Sequence, residues 1–144
     1  MPTVTEEPLH PTLPFTERVA DYASSRPGYP DALYDALWEK AGLGPGSEMA
    51  DLGSGTGISA EPLLERGAVV FCVEPNDAMR QAAETALAGY PKFQSVAGTA
   101  ERTGLAGHSV DFVMAAQAFH WFDQGAVRLE CARILRPGGS AAII

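Results

Sequence analysis

Apolar positions along the chain follow two alternating rhythms. Compact apolar runs at 49–52, 69–73, 93–96, 110–115 and 140–144 read as strands, and between most of them the apolar residues recur at helical spacing. The spacing predicts a helix over 30–41, where Pro30 suits a first turn, Leu33, Leu37 and Trp38 share a face, and Gly42 and Gly44 close it. A second helix is expected over 59–66, and a third over 78–87 with Met79, Ala82, Ala83, Ala86 and Leu87 on one side. A fourth, over 126–135, carries Val127, Cys131, Ile134 and Leu135 and ends at Pro137-Gly138-Gly139. Gly98, Gly104 and Gly107 interrupt the stretch between Lys92 and Val110, so that crossover is expected to be a loop or a single turn. Strands alternating with helices make an α/β fold built on a parallel sheet.

Composition narrows the class. A length of 144 residues with 46% apolar positions suits one domain rather than two, assigned here to 15–144. Residues 1–14, with Pro2, Pro8, Pro11 and Pro14 and no apolar period, read as a disordered or loosely packed arm. Ten Lys and Arg against 18 Asp and Glu give a net charge of −8, spread along the chain, which disfavours nucleic acid as a partner. No run is apolar and long enough for a membrane helix and no secretory signal opens the chain, so a cytoplasmic location is expected. Cys72 and Cys131 lack metal-ligand spacing and read as small buried hydrophobes; no metal is expected.

The chemistry concentrates in Ala50-Asp51-Leu52-Gly53-Ser54-Gly55-Thr56-Gly57, a strand running straight into alternating glycines and then a helix. Glycines permit a sharp turn and let a ligand approach main-chain N–H groups, while the helix N-terminus favours an anionic group. A dinucleotide loop places a third glycine at the sixth position, where this chain has Ile58. A Walker-type loop needs a lysine, and none lies between Lys40 and Lys92. Glu74 closes the second strand about 20 residues beyond Gly53, where a carboxylate grips ribose hydroxyls in doubly wound nucleoside-binding folds. Adenosine follows from that position.

The set Asp51-x-Gly53-x-Gly55-x-Gly57 with Glu74 resembles motifs I and II of class I S-adenosylmethionine-dependent methyltransferases. Tyr22-Ala23-x-x-Arg26-Pro27-x-Tyr29-Pro30, Gly98-Thr99-Ala100-Glu101, Gln117-Ala118-Phe119-His120-Trp121-Phe122-Asp123 and Leu135-Arg136-Pro137-Gly138-Gly139 match the small-molecule, type 11-like branch of that family, in order. The resemblance implies a Rossmann-like doubly wound parallel sheet of strand order 3-2-1-4-5, truncated before the last two strands of the full fold.

It further implies S-adenosylmethionine as cofactor and a small-molecule methyl acceptor, at oxygen, carbon or nitrogen. Asp51, Gly53, Ser54, Gly55 and Gly57 would form the loop around the methionine part, and Glu74 would bind the ribose. Asn76 and Met79 would flank the adenine, and Ala100 and Glu101 would approach its edge. Gln117 would lie beside the sulfonium, with Tyr22 and Arg26 closing over the methionine carboxylate.

Each role has a plainer counterpart. Met79 also fits core packing, Glu101 a solvated loop and Trp38 the core rather than a substrate lid, while His108 reads as solvated. His120 fits a catalytic base or a wall of the acceptor site. The apolar end at 141–144 would leave a sheet edge open to self-association. An enzyme transferring methyl groups is the leading expectation; a non-catalytic S-adenosylmethionine or nucleoside-binding module is the alternative, and a nicotinamide oxidoreductase a weaker third.

Overall fold

The computed structural model describes residues 29–115 and 123–143. In chain order these are α1 (Asp31–Ala41), β1 (Glu48–Leu52), α2 (Glu61–Glu65), β2 (Val69–Val73), α3 (Asp77–Ala86), β3 (Phe93–Val96), β4 (Val110–Ala115), α4 (Gln124–Ile134) and β5 (Leu135–Ile143). The five strands form one sheet of order β3-β2-β1-β4-β5, every neighbouring pair parallel. The expected α/β fold and strand order are therefore present. Residues 1–14, and with them the expected arm, lie outside the described residues.

A strand buried on both faces must be apolar on both, and the alternation of side chains sorts β1, β2 and β4 into two cores. Met49, Val70, Cys72, Phe112 and Met114 point to one face, where Tyr34 of α1 and Leu63 and Leu64 of α2 cover them. Ala50, Leu52, Val73, Val113 and Ala115 point to the other, under Val127 and Ile134 of α4. Tyr34 does more than fill space, because its hydroxyl donates to the Ser59 carbonyl at 3.0 Å and so ties α1 to the loop after β1.

Three elements depart from expectation. The helix after the glycine loop spans only Glu61–Glu65 rather than 59–66. Pro62 accounts for this: it has no N–H to donate back and is tolerated only in a first turn, so the helix cannot begin earlier. The N–H groups of Ala60 and Glu61 both donate to the Gly57 carbonyl at 3.1 Å. Two of the donors expected for an anionic group at this helix N-terminus are thus spent locally.

At the other end, β5 begins at Leu135 instead of Ser140. Leu135 pairs with Val110 and Ser140 with Phe112, so the Pro137-Gly138-Gly139 stretch bulges out of the ladder. Arg136 reaches from this bulge to Asp111 at 2.9 Å and Glu48 at 2.6 Å, fastening the starts of β1, β4 and β5 together. In α1, finally, Tyr34 is the fully buried residue, while Leu33, Leu37 and Trp38 pack half-buried beside it. The crossover from β3 to β4 carries no helix, as expected. Cys72 is buried and Cys131 half-buried. No helix of the described residues is long and apolar enough to cross a membrane.

Candidate functional site

In an open parallel sheet, ligands sit beyond the carboxyl ends of the strands, where the strand order reverses. Here the chain steps outward from β1 to β2 to β3 and then returns to the other side of β1 as β4, so the crevice opens between β1 and β4. The glycine loop leaves β1 at this edge, Glu74 leaves β2, and the segment beginning at Ala97 leaves β3.

Gly53, Gly55 and Gly57 adopt left-handed backbone, with φ of 65°, 58° and 89°. That geometry is costly for any residue with a Cβ, so the alternation of glycines is what lets the loop close. The N–H groups of Gly53 and Ser54 both donate to the Val73 carbonyl, at 2.8 and 3.1 Å, which pins the loop across the end of β2. Gly57 has a second reason: a Cβ there would stand 2.7 Å from Leu87 Cδ1 and 3.4 Å from Ala83 Cβ. It is the residue over which α3 packs.

Glu74 is 4% exposed, yet both carboxylate oxygens are held by main chain. Gly55 N–H donates to Oε1 at 2.8 Å and Asn76 N–H to Oε2 at 2.9 Å. Burial pushes its carboxyl above the usual range, opposed by the bonds from Asn76 and Gly55 and by the charge of Arg80. Each oxygen keeps a lone pair beyond its N–H, which is the acceptor pattern two neighbouring hydroxyls require. Arg80 also donates to the Glu74 carbonyl at 3.0 Å. The structure thus brings the glycine loop and Glu74 together as expected.

The remaining positions divide. Asp51 is fully buried at the end of β1, where its Oδ2 accepts from Ser59 Oγ at 3.2 Å. Asn76 caps α3, its side chain accepting from Met79 N–H at 2.9 Å, and Met79 is itself buried. Ala100 is buried in the core cluster that also holds Val113 and Val127. Glu101, expected at an adenine edge, accepts from Asp123 N–H at 3.3 Å. Tyr22, Arg26, Gln117 and His120 lie outside the described residues.

Two features escaped sequence reasoning. Thr56 places a hydroxyl, buried and without a hydrogen-bond partner among the described residues, inside the glycine loop. Glu130 is buried in α4, accepting from the N–H and hydroxyl of Thr103 at 2.9 and 2.7 Å and pairing with Arg133 at 2.7 Å. A signal for it existed: Glu130 stands three residues after Val127 and four before Ile134, on the buried stripe. Hydrogen bonds from Arg133 and, after the opposing effect of burial, from Thr103 hold its carboxyl down to about 2, below the ordinary 4.5. A depressed carboxylate stabilises the fold above its unfolded pKa and ceases to as pH falls through its folded one. Stability, followed by urea unfolding, should therefore decline between about pH 4.5 and about 2 more steeply than in Glu130→Gln.

Away from this edge, Asp35, Trp38, Glu39, Leu43, Pro45 and Arg66 line a surface groove of about 460 Å³. Arg66 is fully engaged there by Asp35 at 2.7 Å, the Asp31 and Pro62 carbonyls and the rings of Tyr34 and Trp38, so Trp38 belongs to the scaffold. Among the described residues no group of three or more His, Cys, Asp or Glu is placed to hold a metal.

A doubly wound sheet whose first loop is built of left-handed glycines and whose second strand ends in a clamped carboxylate defines a nucleoside-binding α/β protein of the methyltransferase type. Residues 50–143 match the family described as a methyltransferase domain, and the chain belongs to that family. An uncharacterized methyltransferase of Mycobacterium tuberculosis is 38% identical over 133 residues, covering 92% of this chain and 52% of the relative. A solved structure assigned provisionally as a type II methyltransferase, from Anaeromyxobacter dehalogenans, is 35% identical with a TM-score of 0.71, covering 83% of this chain and 48% of that one. A Haemonchus contortus phosphoethanolamine N-methyltransferase, solved with S-adenosylhomocysteine, shares the fold at 21% identity and a TM-score of 0.76, covering 90% of this chain and 32% of that one. The chain spans about half the length of the curated relatives it matches. Family and fold are those of S-adenosylmethionine-dependent methyltransferases.

Proposed function

We propose that this chain binds S-adenosylmethionine at the carboxyl edge of β1 and β2 and serves the transfer of its methyl group to a small-molecule acceptor. The observation that carries the reading is the Glu74 carboxylate, held by Gly55 and Asn76 N–H groups beside the glycine loop, with an acceptor site left on each oxygen. The buried Thr56 hydroxyl adds a polar group inside the same loop. These residues fit a nucleoside carrying a methionine tail.

When bound, the cofactor supplies an already activated methyl group, so the chain's own task is to hold and orient. Glu74 would accept the ribose hydroxyls and the loop of Gly53, Ser54, Gly55 and Gly57 would lie around the methionine portion, while Asp51 braces that loop through Ser59. The family resemblance further assigns Gln117 to the neighbourhood of the sulfonium and Tyr22 with Arg26 to the methionine carboxylate. Asn76 and Met79, at the start of α3, would flank the adenine. His120 takes a proton from the acceptor only where the attacking atom carries one at working pH. Fixing two reactants in line supplies several kcal/mol of the barrier by itself, about 7 to 11 in the best-oriented cases.

Calorimetric titration tests the reading. S-adenosylhomocysteine should bind and NAD should not; binding of NAD alone would overturn it. Because ionised Glu74 is the acceptor for the hydroxyls, affinity should rise as pH climbs through its elevated pKa and then level off, a dependence that Glu74→Gln should flatten. A methyl-release assay then separates an active methyltransferase from a nucleoside-binding module.

A further inference from the structure

The loop after β3 is stitched to α4 at two points. Glu130 Oε2 accepts from both the N–H and the hydroxyl of Thr103, and Arg133 binds Glu130 Oε1 and Oε2 at 2.7 Å while donating to the Leu105 carbonyl at 2.7 Å. Nearer the start of α4, Glu101 accepts from Asp123 N–H. Between these stitches the loop folds back on itself: Thr99 and Arg102 exchange N–H···O bonds at 3.1 Å in both directions. Gly98 allows this, since a Cβ there would stand 2.8 Å from the Thr103 carbonyl oxygen.

A buried carboxylate is retained only when its partners satisfy it, and Glu130 is satisfied by one loop residue and one residue of its own helix. Its position within the fold says what that satisfies. β3 lies against β2 in register, Val73 opposite Val96, and Glu74 N–H donates to the Val96 carbonyl at 3.0 Å. The stitched loop therefore leaves the sheet next to Glu74, the residue proposed to hold the ribose.

We infer that Glu130 and Arg133 are positioning residues that hold the Ala100–Glu101 segment against α4 so that it faces the edge of the bound base, and thereby set the preference for adenine over a 6-oxo purine. This rests on the S-adenosylmethionine reading above. Neither residue touches the ligand; both act through Thr103 and Leu105. Thr103→Ser keeps every bond of the stitch, whereas Thr103→Val loses the two bonds of the hydroxyl, to Glu130 and from Leu105 N–H, and keeps the Thr103 N–H bond and those of Arg133.

The test is calorimetric titration of the unaltered chain and of Glu130→Gln, Thr103→Val and Thr103→Ser with S-adenosylhomocysteine and S-inosylhomocysteine, alongside thermal unfolding. The unaltered chain should prefer the adenine compound. Thr103→Val and Glu130→Gln should lose about tenfold of that preference, Thr103→Ser should retain it, and if Glu130→Gln fails to fold the two Thr103 variants decide. A preference unchanged in Thr103→Val, with both compounds weakened by one factor, would reduce the stitch to stability alone and overturn the inference while leaving the cofactor reading intact. No preference in the unaltered chain would also overturn it. Binding of neither compound would overturn the cofactor reading and the inference together.

Discussion

Replacing Glu74 by alanine should weaken S-adenosylhomocysteine by about 1 to 3 kcal/mol, a factor of about 5 to 150, because two charge-assisted hydrogen bonds to the ribose disappear together. The substitution has a second effect that the geometry separates. Gly55 and Asn76 lose the acceptor of their N–H groups, at 2.8 and 2.9 Å in the native chain, so the loop itself loosens. Glu74→Gln distinguishes the two: its amide oxygen can still accept one N–H, but its NH2 group faces the other donor. Affinity should fall in both variants, and the fall in thermal stability should be larger in the alanine variant. Isothermal titration and thermal unfolding on the same samples check this, and an unchanged affinity in Glu74→Ala would remove the carboxylate from the site.

The other large effect is on folding. Gly57→Ala places a Cβ 2.7 Å from Leu87 Cδ1 on a backbone at φ 89°, a side chain that is 2% exposed and has little room to turn away. Left-handed strain and overpacking together should cost about 2 to 4 kcal/mol, which for a chain of this size lowers Tm by about 10 °C. The steric share is testable apart from the backbone share. Combining Gly57→Ala with Leu87→Ala vacates the colliding methyl, so the double variant should be destabilised by less than the sum of the singles. Additive losses would mean that the backbone alone resists the change.

How far the sequence foretold this molecule depends on the scale of the feature. Strands at 69–73 and 110–115 are legible because a strand covered on both faces leaves a dense apolar run, which the neighbouring turns delimit, whereas the edge strand at 93–96 is marked only by Phe93 and Val96 at its two ends. The extent of the helix after the glycine loop is not legible from the apolar pattern alone, because Pro62, lacking an N–H, limits where a helix can start. The start of β5 is not legible in the sequence because Pro137-Gly138-Gly139 signals a break, while the pairing of Leu135 with Val110 depends on a partner distant in sequence. In the site, glycine spacing and Glu74 were legible because each is required by local backbone or position. The place of Glu130 on the buried stripe of α4 is a legible signal, but its pairing with Thr103 is not, since it joins a loop to a helix 27 residues away.

Backbone amide shifts recorded while S-adenosylhomocysteine is added to the labelled chain put the central claim to the most direct trial. The two N–H groups that grip Glu74, those of Gly55 and Asn76, should move first and furthest, with Thr56 and Ala100 following, and the signals of Trp38 and Arg66 in the distant groove should stay in place. Movement concentrated at Trp38 and Arg66, with Gly55 and Asn76 unmoved at saturation, would contradict it.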